Sequence, residues 1–369
     1  MGKWWSFLFA AVMALCGGLV VVAPLMGWWL PEGVSTHAAS VDYLFYFILV
    51  ITGFFFILTE AILCVFMFKY AGDRDKSADS TPPGFIATLF KPVSGMLNEH
   101  TVEIAWTVVP ALLLLFIAFD QVNTWAIIKY QSRMPTLQED KTPLQAAVSA
   151  RQFEWRVRYP SSERFEEWLK NKELIKRADD YATFSKLEQP VKKELEERIE
   201  KFKKDFASFA KFEQKDDVHL VNELHVIKEN PAVVHLSTLD VIHSFNLPRL
   251  RVKQDALPGK IIPVWFTPTK SNVAWFTPSK KNVALRDQPA AYVDGVDPDK
   301  GIVLDAETAE RQVDEHYIWD LPCAELCGWG HYRMVGRLFV HKDEQEFLDW
   351  LKKAEYQSNS RQREVTAAR

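Results

Sequence analysis

"YLFYFILVITGFFFILTEAILCVFMF", Tyr43 to Phe68, carries a single charge, Glu60. A helix needs about 20 apolar residues to cross a bilayer core, so this stretch is long enough to span. Two more runs of the same kind flank it. Upstream, Trp4 to Pro31 contains no charged residue; downstream, Ile104 to Phe119 is uncharged and the apolar pattern continues past Asp120 to Ile128. Trp4, Trp5, Trp28, Trp29, Tyr43, Trp106 and Trp125 lie near the run ends, where amphipathic rings favour the headgroup layer. A short apolar run can be a buried core helix, but runs of this length in a chain that is otherwise highly polar select spanning helices.

The second and third runs make a transmembrane hairpin over 42–130. The first, within 1–31, fits either a removed signal peptide or an additional retained helix: its position favours the first, whereas its apolar region exceeds the ~7–15 residues usual in a signal. Lys3 precedes the first run, no Lys or Arg lies between the first and second, and Lys69, Arg74, Lys76 and Lys91 lie between the second and third. The positive-inside rule puts the N-terminus and the 69–100 loop in the cytoplasm and everything after the third run on the outer side. A net charge of −4 over 369 residues gives no reason to expect a nucleic-acid partner.

Beyond Tyr130 the texture changes. "LQAAVSARQFEWRVRYP", "HLVNELHV", "AVVHLSTLDVIHSFNLP", "KIIPVWFTP", "EHYIWDLP" and "VGRLFVH" are short, β-rich and separated by turn residues, which predicts an antiparallel sandwich or barrel, possibly Greek-key, over 131–160 and 218–345. A charged segment, 161–217, interrupts it. There Val191, Leu195, Ile199, Phe202, Phe206 and Phe209 recur at helical steps after Pro190, predicting an inserted helical hairpin that is either packed on its own domain or a docking surface. "VWFTPTKSNV" at Val264 is repeated as "AWFTPSKKNV" at Ala274, too short a tandem for a solenoid and better read as a lengthened loop, which 286–314 extends. Residues 346–369 read as a C-terminal tail.

"CAELCGWGHYRM", Cys323 to Met334, gathers two thiols, an imidazole and a thioether. Cys16 and Cys64, within apolar runs, read as small buried hydrophobes. A disulfide on the oxidising side needs no neighbouring His331 and Met334. His and Cys with a distant Met suit copper electron-transfer sites, while structural zinc, with His243 as a further ligand, remains open on ligand type alone; Met is a poor zinc ligand.

With these residues the chain resembles the cytochrome c oxidase subunit II family. "CAELCGWGHYRM" matches its binuclear copper (CuA) motif at every ligand position. "LDVIHSFNLPRLRVKQDALPGK" matches the segment supplying the other histidine, "HTVEIAWTVVPALLLLFIAF" its second spanning helix, and "RQFEWRVRYP" its aromatic segment. The resemblance implies an α-helical membrane hairpin followed by an all-β cupredoxin-like sandwich. It implies that Cys323 and Cys327 bridge two coppers, that His243 and His331 are terminal ligands and Met334 a weak axial one, and that Glu325 gives its backbone carbonyl to copper and its side chain to magnesium at the interface with subunit I. His225, His235, His316 and His341 match no ligand position and read as surface or strand residues. Glu103 corresponds to a carboxylate at the mouth of a proton pathway.

The activity so implied is electron relay: a separate cytochrome c reduces the copper pair, which passes electrons to haem in subunit I, where oxygen is reduced to water with proton pumping. A quinol-oxidase subunit would lack the ligands present here. No Cys-x-x-Cys-His sequence occurs, so no c-type haem is attached. One departure stands out. Where the family often has a tryptophan that receives the electron, this chain has Phe153, with Trp155 two residues on and, on a strand, sharing its face.

Overall fold

The computed structural model describes residues 2–70, 99–135, 143–179, 189–272 and 319–367. The loop 71–98, the second repeat copy, the 286–314 stretch and His316 lie outside the described residues. The chain forms two compact units, one of 1–31 with 40–125, the other of 32–39 with 126–369.

The first unit holds most of three helices: α1 (Gly2–Leu25), α2 (Ala38–Tyr70) and α3 (Glu99–Lys129). All three are long and apolar enough to cross a membrane. A helix pairs its own backbone groups, which is why apolar runs adopt it where water is absent. Some hydroxyls bond within their own helix, Thr52 donating to the Ile48 carbonyl and Thr59 to that of Phe56, both at 2.8 Å. Phe47 and Phe116 meet at 5.8 Å between ring centroids, joining α2 to α3.

The second unit is a β-sandwich. Its strands are β1 (Leu144–Arg151), β2 (Glu154–Tyr159), β3 (Val218–Val221), β4 (Glu223–Ile227), β5 (Ala232–Thr238), β6 (His243–Leu247), β7 (Val252–Ala256), β8 (Ile262–Phe266), β9 (Asp320–Pro322) and β10 (Val335–His341). One sheet runs β3-β2-β1-β5-β8, a second β4-β10-β9, and β6 with β7 forms a two-stranded ribbon. The expectation of an antiparallel sandwich needs correction in two places, since β1 pairs parallel with β5 and β4 parallel with β10. Alternation in sequence fixes which side chains face inward, not the direction of the neighbouring strand.

Asn222 makes the corner between the sheets. It sits at φ 61°, a left-handed conformation that asparagine tolerates. Its side chain accepts from the Trp155 N–H (2.8 Å), its N–H donates to the Trp155 carbonyl (2.7 Å), and its carbonyl accepts from the Arg337 N–H (2.8 Å). One residue thus ties β2 to β10. The connector Glu32–Ala39 also belongs to this unit: the Val34 N–H donates to the Arg249 carbonyl and the Ser35 hydroxyl to that of Leu250, each at 2.7 Å.

The insertion is a pair of helices, α4 (Ser162–Asp179) and α5 (Gln189–Ser208), packed on the sandwich. Trp168 meets the rings of Phe206 (5.0 Å) and Phe209 (5.8 Å), and Phe202 and Phe209 are buried. Arg158 of β2 and Arg164 of α4 both pair with the fully buried carboxylate of Asp217, Arg164 at 2.7 Å. The C-terminal segment expected as a tail forms helix α6 (Glu344–Ala367), whose Phe347, Leu348, Trp350, Leu351 and Ala354 enter the core.

Against α6 sits a second correction. His225 and His341, expected as surface or strand residues, do lie on strands but are wholly buried, His225 Nδ1 2.9 Å from His341 Nε2. The Trp350 ring stacks on His225 with centroids 3.7 Å apart. His235 is half-buried, 2.9 Å from the Gln145 side-chain oxygen, and burial lowers its pKa to about 4.

Candidate metal centre

Strand pairing brings the two sources of ligands together. β9 and β10 are antiparallel, with Pro322 opposite Val335, so the intervening residues Cys323–Met334 close a loop whose ends meet. The Cys323 N–H donates to the Met334 carbonyl at 3.0 Å and closes it. β6 lies alongside: Phe245 pairs with Cys323, and the Ala324 N–H donates to the Ser244 carbonyl at 3.0 Å. That pairing carries His243, eighty positions earlier, to the first cysteine.

The side chains converge. Cys323 Sγ lies 3.9 Å from Cys327 Sγ, 3.8 Å from His243 Nδ1 and 3.2 Å from the Glu325 carbonyl oxygen. Cys327 Sγ lies 3.6 Å from His331 Nδ1 and 3.9 Å from Met334 Sδ. A disulfide is about 2.05 Å long, so these are two free thiols held at close range. His243, Cys323 and Cys327 form a buried group able to hold a metal ion. Met334 is fully buried and His331 half-buried. Burial, with Cys323 beside it, pushes the Cys327 thiol up to about 11. Metal binding has to displace such protons, since thiolate is the ligand.

His243 is oriented from behind. Its Nε2 is 2.8 Å from Asp240 Oδ1, which leaves Nδ1 facing the thiols. Burial works against the Asp240 charge, but hydrogen bonds from the Gln152 N–H, His243 and the Val241 N–H outweigh it and hold this carboxyl below its usual range. Asp240 is a residue that sequence reasoning missed; the signal available was only its place three residues before a histidine.

The remaining expected residues fall differently. Trp155 is 0% exposed, its ring 6.2 Å from that of His243 and 5.8 Å from Phe245. It is a floor beneath the ligand and does not share an exposed strand face with Phe153, which precedes β2 in the turn that ends β1. Phe153 is half-buried and meets Trp329 edge-on at 5.2 Å. Trp329, unremarked within the motif, is 74% exposed and carries the Arg333 guanidinium over its face at 4.3 Å. Gly328, at φ 127°, has a backbone conformation that strains any L side chain, and a Cβ there would also lie 2.8 Å from Gln152 Nε2. Glu325 is exposed and joins no metal-competent group of three or more side chains among the described residues. Glu103 lies near the start of α3, exposed, 3.5 Å from His100.

Comparison with known proteins agrees at the level of family. A profile of "Cytochrome C oxidase subunit II, transmembrane domain" matches residues 23–123, and one of "Cytochrome C oxidase subunit II, periplasmic domain" matches residues 205–281. The cytochrome c oxidase subunit 2 of Thermostichus vulcanus is 24% identical over 270 residues, 68% of this chain and 71% of that one. The probable cytochrome c oxidase subunit 2 of Rickettsia conorii is 28% identical over 196 residues, 52% of this chain and 49% of that one, so the match spans about half of that relative. The crystal structure of the periplasmic domain of subunit II of cytochrome oxidase of Bradyrhizobium japonicum is 17% identical, with a TM-score of 0.31, covering 59% of this chain and 97% of that one. Spanning helices and a strand-rich periplasmic domain, each matched separately, make this membrane protein a member of the cytochrome c oxidase subunit II family.

Proposed function

We propose that this chain is the electron-receiving subunit of a cytochrome c oxidase and holds a binuclear CuA centre. The observation that carries the reading is the donor set: two buried free thiols 3.9 Å apart, each with an imidazole Nδ1 within 3.8 Å, and a thioether 3.9 Å from the second. Thiolate and thioether are soft donors that favour copper, and a four-coordinate zinc site would leave Met334 without a role. Cys323, Cys327, His243, His331 and Met334 would hold the copper pair through their side chains, with the Glu325 carbonyl as a further donor. Bound there, a copper pair would supply one-electron transfer.

The chain's own residues prepare that site. Strands β6, β9 and β10 fix the ligand positions before any metal arrives. Asp240 holds His243 by its far nitrogen, and such outer partners commonly tune ligand basicity. Trp155 and Phe245 exclude water from beneath it. On this reading a separate cytochrome c donates and haem in subunit I accepts, with oxygen reduced to water there. Glu103 would stand at a proton pathway's mouth, a position in which an ionisable group at a span's end is suggestive. The magnesium implied by the resemblance would use the Glu325 carboxylate and would need further ligands from another chain.

Metal analysis and electron spin resonance of the purified full chain test the reading. Two coppers per chain and a mixed-valence signal are expected; a colourless chain holding one zinc would overturn it.

A further inference from the structure

We propose that the turn joining β1 to β2, and Gln152 within it above all, is a positioning device that locks the two halves of the metal centre to each other; its copper readouts rest on the binuclear reading above. The ligands come from separate pieces of chain, His243 on β6 and the rest on the 323–334 loop. Gln152 belongs to neither and holds both. Its backbone N–H donates to Asp240 Oδ2 at 2.8 Å, while Asp240 Oδ1 is 2.8 Å from His243 Nε2. Its side-chain amide donates to the Cys327 carbonyl at 2.5 Å. A continuous path of hydrogen bonds therefore runs from one imidazole, through a carboxylate that uses both oxygens, to the backbone of the second cysteine.

Phe153 completes the turn's grip. A Cβ at Gly330 would lie 2.5–2.7 Å from three atoms of the Phe153 ring, and one at Gly328 would lie 3.3 Å from two. The ring rests directly on the loop between Cys327 and His331. Its place in the molecule is thus to press the ligand loop into shape, while the exposed aromatic surface is provided by Trp329.

The geometry makes a directional claim. Without the Asp240 carboxylate nothing in this path selects the His243 tautomer that leaves Nδ1 open to metal, and without the Gln152 amide the Cys327 carbonyl loses its tether. Outer partners of metal ligands typically account for 10–100-fold in affinity.

The test uses the full chain in detergent, labelled with ¹⁵N at histidine, as wild type, Gln152→Ala, Gln152→Glu and Asp240→Ala. In the metal-free wild type His243 should carry its proton on Nε2. Asp240→Ala should give a tautomer mixture. Both Gln152 variants should quicken reaction of the Cys327 thiol with a disulfide reagent; the Glu variant, which cannot donate, should match Ala. After copper loading, each variant should lose copper to a chelator about 10–100-fold more readily, with altered hyperfine structure. Folded variants that keep the wild-type tautomer, thiol reactivity and copper retention would overturn the proposal. A wild type that takes up no copper pair, while the variants still shift tautomer and thiol reactivity, would sink the binuclear reading and leave the positioning role standing.

Discussion

His243 and His225 are both completely buried on strands of the same sandwich, yet their surroundings assign them opposite work. His243 has a carboxylate behind one nitrogen and two thiols in front of the other. His225 has a second imidazole at 2.9 Å and the Trp350 ring stacked on it, with Phe339 on a parallel plane 4.5 Å away. The first environment anchors one ring nitrogen on a carboxylate and leaves the other facing soft donors. The second stabilises neutral rings by packing. Burial alone therefore does not distinguish a ligand from a core residue; what faces each nitrogen does.

The largest effect separating the two regions should come from sulfur. Cys323→Ser is expected to abolish the mixed-valence copper signal, while His225→Gln leaves it intact; spin resonance of the two purified variants checks this. Next in size are two substitutions on the packed side. Trp350→Ala should cost about 3–5 kcal/mol by opening a cavity under α6. Asp217→Ala should cost a similar ~3–5 kcal/mol, because two partly buried guanidiniums lose their shared carboxylate. Denaturant midpoints followed by tryptophan fluorescence measure both, and neither should move the copper spectrum of the chain that remains folded.

A smaller effect is set by pH. Burial holds the pKa values of His225 and His341 well below the usual 6.5, His225 further lowering that of His341. Glu223, whose carboxylate is 3.7 Å from His225 Nε2, lies beside the pair, the Tyr159 hydroxyl accepts from the backbone N–H of His225, and Phe347 and Trp350 of α6 pack on the rings. The unfolded chain binds more protons than the folded one below about pH 6.5, so stability is complete above that value. It should fall on acidification by about 1.4 kcal/mol per pH unit for each histidine. His341→Gln should flatten the dependence of the urea midpoint between pH 7 and 5. Smallest in stability is Trp329→Leu, expected within about 0.5 kcal/mol of wild type because the side chain is exposed. Its readout is kinetic: reduction of the copper-loaded chain by a soluble one-electron protein donor should slow, whereas Trp155→Phe should act mainly through stability.

The same contrast shows where sequence suffices. Apolar runs from Trp4, Tyr43 and Ile104 were legible because a spanning helix leaves a local record of length and missing charge. The loop ligands were legible because they lie within twelve residues. Ligand type alone offered His243 only as a possible further ligand, and resemblance tied it to the motif, since eighty residues separate it from the first cysteine it meets. Parallel pairing of β1 with β5, the burial of His225 and the course of the Gln152 hydrogen bonds left no such record. Each depends on which distant strand lies alongside, and alternation within one strand says nothing about that. Phe153 and Trp155 show the boundary well: period two places them on one face only if both are in the strand, and the turn ends between them.

The contact between Phe153 and Gly330 also constrains the order in which this sequence can drift. A side chain at position 330 collides with the ring, so any larger residue there is acceptable only after position 153 has become smaller. The reverse order is open, since shrinking residue 153 first merely uncovers the loop. Descendants of this chain that carry a bulkier residue at 330 should therefore also have lost the phenylalanine at 153, and a library in which both codons are randomised would expose the dependence as a forbidden quadrant.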